Sequence, residues 1–234
     1  RQAARKLGAV DAQLSAKVKG RLLGPLALYD DADGDVIPEV PAAPNRALKV
    51  NLDLMSYRAR QHVIRREFKD AEKLYRRCIR LDPYDGRGWL GLSRSLRKRR
   101  MDLQARQVLI DGLLRNPENP HLLQALGTLE KDQGNTARAM ARFDEALAAD
   151  PSHAASWVAK GQLEERQKRT ERARECYMEA TAVAPKNYYA WQCLAVLESR
   201  DGHVDKARAL FRTCAELRPE NAAVWQAWGV MEHR

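Results

Sequence analysis

An all-α protein, folded as a right-handed α-solenoid of stacked helix-turn-helix hairpins, is predicted by three observations in this 234-residue chain. Prolines recur at one constant interval, at Pro83, Pro117, Pro151, Pro185 and Pro219. Six residues after each proline stands Trp89, Leu123, Trp157, Trp191 or Trp225. Twenty-two after the first four stand Ala105, Ala139, Ala173 and Ala207, with Ala71 in phase upstream. Four past those alanines come Tyr75, Leu109, Phe143, Tyr177 and Phe211. A small residue and then a large one at i, i+4 mark one face of a helix, and self-similarity at a fixed period of this length signals a stacked-repeat architecture.

The elements follow in chain order. Residues 1–24 place Leu7, Val10, Leu14, Val18 and Leu22 at helical spacing beside Arg1, Arg5, Lys6, Lys17, Lys19 and Arg21, predicting a basic amphipathic helix. Residues 25–48 bring Pro25, Pro38, Pro41 and Pro44 among acidic residues and read as a linker. The repeat array fills 49–234, about five and a half units, the first with Met55 where Trp is expected. Each unit divides into a first helix, such as about 154–167, and a second, such as about 171–183. Pro151 or its equivalent ends the second helix by lacking an amide donor and restricting its neighbour. Each Trp needs an apolar notch, which the small Ala opposite is expected to supply. No hairpin buries both faces alone, so stacking is obligatory. The array ends after a first helix, and the expectation is that Trp225 and Trp228 expose an apolar face, met by further chain or a capping partner.

Composition narrows the chemistry. Lys+Arg 41 against Asp+Glu 31 gives a formal net charge of +10, which favours an anionic partner without choosing among nucleic acid, membrane and acidic protein. Cys78, Cys176, Cys193 and Cys214 form no CxxC pair and no metal-ligand spacing with the five histidines, so neither zinc nor a disulfide framework is expected and a reducing compartment is. No run approaches 18 apolar residues, so no membrane span is expected, and the opening Arg1 suggests a leader already removed. Asp31, Asp33 and Asp35 begin like a calcium loop, but Val36 and Ala42 stand at its required glycine and glutamate. No nucleophile, phosphate-loop or paired-carboxylate pattern emerges. The expectation is a non-catalytic protein without cofactor, metal or small-molecule substrate.

The period, the tryptophans, the small residues, the aromatics and the closing prolines together resemble the tetratricopeptide repeat (TPR). Within the first helices Glu130, Glu164, Glu198 and Glu232 form a further series, and Arg106, Arg174 and Arg208 follow the small alanines, with Met140 breaking that run. This combination resembles the half-a-TPR (HAT) subclass, and over about 52–234 it is similar to the chloroplast HAT-repeat RNA-stabilising factors of the photosystem II message maturation, high-chlorophyll-fluorescence type. The resemblance implies mRNA processing and stability as the role and the chloroplast stroma as the place. The Glu and Arg series itself reads as partly buried pairs that set register.

First helices line the concave face of such a stack, so ligand contacts should come from their outward positions. Counting the Trp position as the fourth of each unit, the candidates are Arg87 and Tyr189 at the second, Gln124, Gln192 and Gln226 at the fifth, and Arg60, Arg94 and Gln162 at the ninth. Arg97 and Lys131 stand at the twelfth; Lys98, Arg166, Arg200 and Arg234 occupy the thirteenth in four of the last five units, with Asp132 in the other. One cation per unit suits a single-stranded phosphate backbone, and the amides suit base edges. Two readings stay open: a single-stranded RNA clamp that blocks exonucleases, and a scaffold whose groove binds an acidic peptide or another protein subunit.

Overall fold

The structure is a computed structural model and describes residues 49–233. The predicted N-terminal helix and linker lie outside the described residues, as does Arg234. Eleven helices follow one another: α1 (Lys49–Ile64), α2 (Phe68–Leu81), α3 (Gly86–Lys98), α4 (Asp102–Arg115), α5 (Pro120–Asp132), α6 (Thr136–Ala149), α7 (Ala154–Arg166), α8 (Thr170–Val183), α9 (Tyr188–Arg200), α10 (Val204–Leu217) and α11 (Ala222–Glu232). Odd and even helices pair as antiparallel hairpins, each even helix also packs on the next odd one, and α11 is the last helix among the described residues. None of the described helices is long and apolar enough to cross a membrane.

Each boundary has a local cause that returns once per unit. The turn inside every hairpin carries one left-handed residue, Arg66, Arg100, Gly134, Lys168 or Gly202, with φ between 59° and 84°. Glycine adopts this conformation freely, whereas the three basic residues hold it at a steric cost of roughly 1 kcal/mol each. Between hairpins, Asp85, Asn119, Asn187 and Asn221 cap α3, α5, α9 and α11 by accepting from the amide two residues on. His153 holds the equivalent place before α7 without a side-chain cap. The proline-to-tryptophan spacing of six is itself a hydrogen bond: the indole Nε1 of Trp89, Trp157, Trp191 and Trp225 donates to the carbonyl of Pro83, Pro151, Pro185 and Pro219 at 2.7–2.9 Å. The indole thereby ties the loop to the helix it precedes.

The core runs down the middle of the stack. Ala71, Ala105, Ala139, Ala173 and Ala207 are fully buried, as are Leu109, Phe143 and Phe211, with Tyr177 nearly so. Glycine positions also mark close approach within a hairpin. A Cβ added at Gly127 would lie 2.6 Å from the Phe143 ring, and one at Gly161 would lie 2.5 Å from the Tyr177 ring. Trp89 packs in the same buried cluster as Ala105 and also closely on Gly112 of α4, where a Cβ would sit 2.9 Å from the indole. Cys78, Ala146, Ala180 and Cys214 occupy the phase of Gly112 in the other units, all buried. Trp225 remains half-exposed, stacked on Trp228 at 5.6 Å, which in turn stacks on Phe211 at 6.2 Å.

Candidate nucleic-acid interface

Odd helices also touch one another along the stack: α1 meets α3, α3 meets α5, α5 meets α7, α7 meets α9 and α9 meets α11. Successive even helices make no comparable contact. Rows that touch must lie on the inside of the curvature, so the odd helices form the inner wall, as the sequence places them.

The charged series separate into two environments. One lies between helices. Arg106 donates to Glu130 at 2.8 Å, Arg174 to Glu198 at 2.6 Å and Arg208 to Glu232 at 2.7 Å, each pair spanning 24 residues. The turn five residues on adds a second partner to two of them, Asn135 on Glu130 and His203 on Glu198, and supplies Arg169 to Glu164. Burial works to raise the carboxyls of Glu130 and Glu198, but hydrogen bonds from Arg106 with Asn135, and from Arg174 with His203, outweigh it and hold both below the ordinary value. In the unit where Met140 breaks the arginine run, Arg169 alone serves Glu164. In the first hairpin the signs reverse, and Arg99 of the next unit binds a buried Glu72. These contacts lock register and leave nothing for a ligand.

The other environment is the inner wall. Position twelve of one unit faces position thirteen of the next. Arg97 pairs with Asp132, and Glu165 pairs with Arg200. Glu165 also accepts from the Tyr177 hydroxyl at 2.9 Å. By the same register Lys131 and Arg166 fall together between these two neutral rungs, near enough for the Arg166 charge to act on the Lys131 ammonium. Lys131 is half-buried and donates to Gln162 Oε1 at 3.0 Å, and Gln162 Nε2 donates to the Tyr189 hydroxyl at 2.8 Å. Burial pushes the Cys193 thiol up to about 11, so it stays protonated. Burial lowers the Lys131 ammonium from its usual value; the Asp132 carboxylate opposes that shift, and the charges of Arg166 and Arg97 add to it.

The remaining candidates fall into place around this centre. Lys98 and Arg166 are exposed and face no carboxylate at ion-pair distance among the described residues. Arg60 and Arg94 are exposed and lie near the Tyr75 phenol. Arg87 is held by Asp85 and Asp53 at the entrance of α3, so it serves the cap. Gln124 turns back onto Thr128 of its own helix at 3.1 Å, and Gln192 reaches the Ala223 carbonyl at 3.5 Å. Gln226 lines a shallow cleft with Arg200, Val196 and Val230 at the α9–α11 end. The wall is therefore a set of positive stations separated by neutralised ones. Two features escaped the sequence reading. Asp132 and Glu165 were visible as residues, but their partners in the neighbouring units were not. His121 and His153 meet edge to face, Nδ1 to Nε2 at 3.0 Å, and burial followed by the His121 charge lowers the His153 imidazole.

The profile of the tetratricopeptide repeat matches residues 125–188. In that segment the repeats are of the tetratricopeptide type. Outside that segment the same periodic chemistry continues through α1–α4 and α9–α11. Two curated relatives are similar in sequence. The PsbB mRNA maturation factor Mbb1, chloroplastic, of Chlamydomonas reinhardtii is 34% identical over 127 residues, 49% of this chain and 19% of that protein. Protein high chlorophyll fluorescent 107 of Arabidopsis thaliana is 37% identical over 115 residues, 49% of this chain and 18% of that protein. The chain thus spans under a fifth of each relative's length in the matched region. A thermophilic TPR protein of Thermus thermophilus superposes with a TM-score of 0.66 at 16% identity, over 78% of this chain and all of that one, a likeness of fold alone.

Proposed function

We propose that this TPR array is a non-catalytic, sequence-selective binder of single-stranded RNA that stabilises or matures a chloroplast message. It holds a segment against the inner wall and denies it to exonucleases. The observation that carries the reading is the wall itself: Lys98, Lys131 and Arg166 present positive charge on touching helices without bound carboxylates, in a chain of net charge +10. Polyanion binding needs clustered cations on one surface, and here stacking brings them there. The name of the Chlamydomonas relative supplies the message and the organelle. Arg60, Arg94, Gln162, Tyr189, Gln226 and Arg234 are proposed to extend the contact along the strand.

Titration of the chain with a labelled single-stranded RNA across salt tests this. Contact with Z phosphates gives a log–log slope of about −0.7Z. Binding indifferent to salt would reject the reading. A scaffold reading is favoured by one observation, the neutralised rungs at Asp132 and Glu165, which divide the wall into stations that suit a short acidic peptide. Competition between an oligonucleotide and an oligoglutamate peptide separates the two.

A further inference from the structure

The inner wall is uneven in one respect that stacking imposes. At three successive junctions, position twelve of one unit and position thirteen of the next both carry a charge. On either side of the middle rung they cancel, Arg97 with Asp132 and Glu165 with Arg200. In the middle rung Lys131 meets Arg166, and the three rungs together hold four cations against two carboxylates, a net charge of +2. Both carboxylates are already engaged, so neither is available to neutralise the middle pair.

The local structure holds Lys131 in place instead of letting it swing into water. Its ammonium is half-buried and donates to Gln162 Oε1 at 3.0 Å; Gln162 is fixed in turn by Tyr189. An ammonium has three N–H donors. With Gln162 as its hydrogen-bond partner, Lys131 has donors left for an incoming group. Arg166 across the rung is exposed and brings a planar fork suited to two oxygens of one anion. Two like charges facing each other at a partly desolvated place raise the energy of the empty wall, and an anion between them removes that cost.

We propose that the Lys131–Arg166 rung, between α5 and α7, is the principal phosphodiester seat of the groove, and that the rungs flanking it are held neutral so that affinity concentrates at this one place. This rests on the RNA reading and adds that the strand is gripped at a single unit junction. It also assigns a function to Asp132 and Glu165. They restrain Arg97 and Arg200, so removing either carboxylate should strengthen binding.

The test uses the whole chain and fluorescently labelled oligouridylate and oligoadenylate, titrated at several salt concentrations. Arg166→Glu is expected to weaken binding by about tenfold or more and to make the salt slope shallower by about 0.7. Lys131→Met should also weaken it, while Lys98→Glu, with the same charge change at the thirteenth position of an outlying unit, weakens it by about twofold. Arg172→Glu, an exposed site on α8 away from the wall, should leave affinity unchanged. Asp132→Asn and Glu165→Gln should tighten binding by about threefold each. Circular dichroism and thermal melts confirm the fold of each variant. Equal losses for Arg166→Glu and Lys98→Glu, or weaker binding on removing the carboxylates, overturn the seat and leave the RNA reading standing. A wild-type chain that ignores both oligonucleotides at low salt, whether or not it takes up an oligoglutamate peptide, overturns both.

Discussion

Two series of charges recur with the repeat period, one joining the second helix of a hairpin to the first helix of the next and one across the inner wall from unit to unit. Glu198 of the first series is 4% exposed and held by Arg174 and His203, whereas Arg166 of the second is exposed with no carboxylate on it. The period is the same in both, so recurrence does not tell a register lock from a ligand contact. Burial does. A carboxylate sealed between helices must keep its partner or leave an uncompensated charge, while a cation on the wall can lose its partner to water at little cost. Stability should therefore respond to the first series and affinity to the second.

The sharpest break in that division would come from the backbone spacing beneath both series. Gly161 lets α7 and α8 approach across the Tyr177 ring, and a Cβ there would be 2.5 Å from it. Gly161→Leu is expected to cost about 3 kcal/mol or more in denaturant unfolding, because ring and helix must separate. A variant as stable as the parent would mean that hairpin spacing is not set there. Next in size, Glu198→Ala should cost about 2 kcal/mol, since it leaves Arg174 with fewer carboxylate partners in a partly buried site. Arg166→Glu on the wall should change stability by less than about 0.5 kcal/mol. Similar losses at Glu198 and Arg166 would erase the distinction.

A smaller effect, opposite in sign, is expected in the hairpin turns. Lys168 sits at φ 59°, where Gly134 and Gly202 stand in other units. Lys168→Gly should raise stability by about 1 kcal/mol, the relief of the left-handed strain exceeding the added chain entropy. In the loops, Trp157→Phe should lose about 1 kcal/mol with the hydrogen bond to the Pro151 carbonyl. Both are read from thermal unfolding.

How much of this was legible in the sequence depends on how far a signal travels along the chain. The helices, their period and the buried alanine–aromatic faces are local: Pro83 and its successors, the Trp spacing and the i, i+4 pairs all fall within one unit. The Glu–Arg locks were legible too, because a register-setting pair follows once two series of opposite sign run in phase, as Arg106 does with Glu130 and Arg174 with Glu198. Gly112 was harder to find, since only its unit has glycine at a position that holds Cys, Ala, Ala and Cys elsewhere. The neutralisation of Arg97 and Arg200 depends on how one unit sits on the next. A count of cations at position thirteen records charge and not the carboxylate opposite it. Arg87 illustrates the same gap: position two looks outward, yet Asp53 and Asp85 claim its guanidinium.

The finest test of the comparison lies within the first series itself, between its buried and its exposed members. Hydrogen bonds from Arg208 and Trp228 hold the Glu232 carboxyl down to about 2, a deeper shift in an open setting where both side chains meet water. A carboxylate whose folded pKa is depressed adds stability above its unfolded pKa, near the ordinary 4.5 of glutamate, and that stability is lost as pH falls through the folded value. Solvent and salt screen an exposed pair, so its deep shift should translate into less stability than the milder shifts of Glu130 and Glu198. Between pH 7 and 5 the unfolding free energy should not respond to these groups, and below about 4.5 it should decline. Glu198→Gln should flatten that acid limb visibly, and Glu232→Gln should flatten it least. If Glu232→Gln flattened it most, hydrogen-bond geometry rather than burial would set the strength of these locks, and the division between the locks joining successive hairpins and the wall would have to be redrawn around geometry.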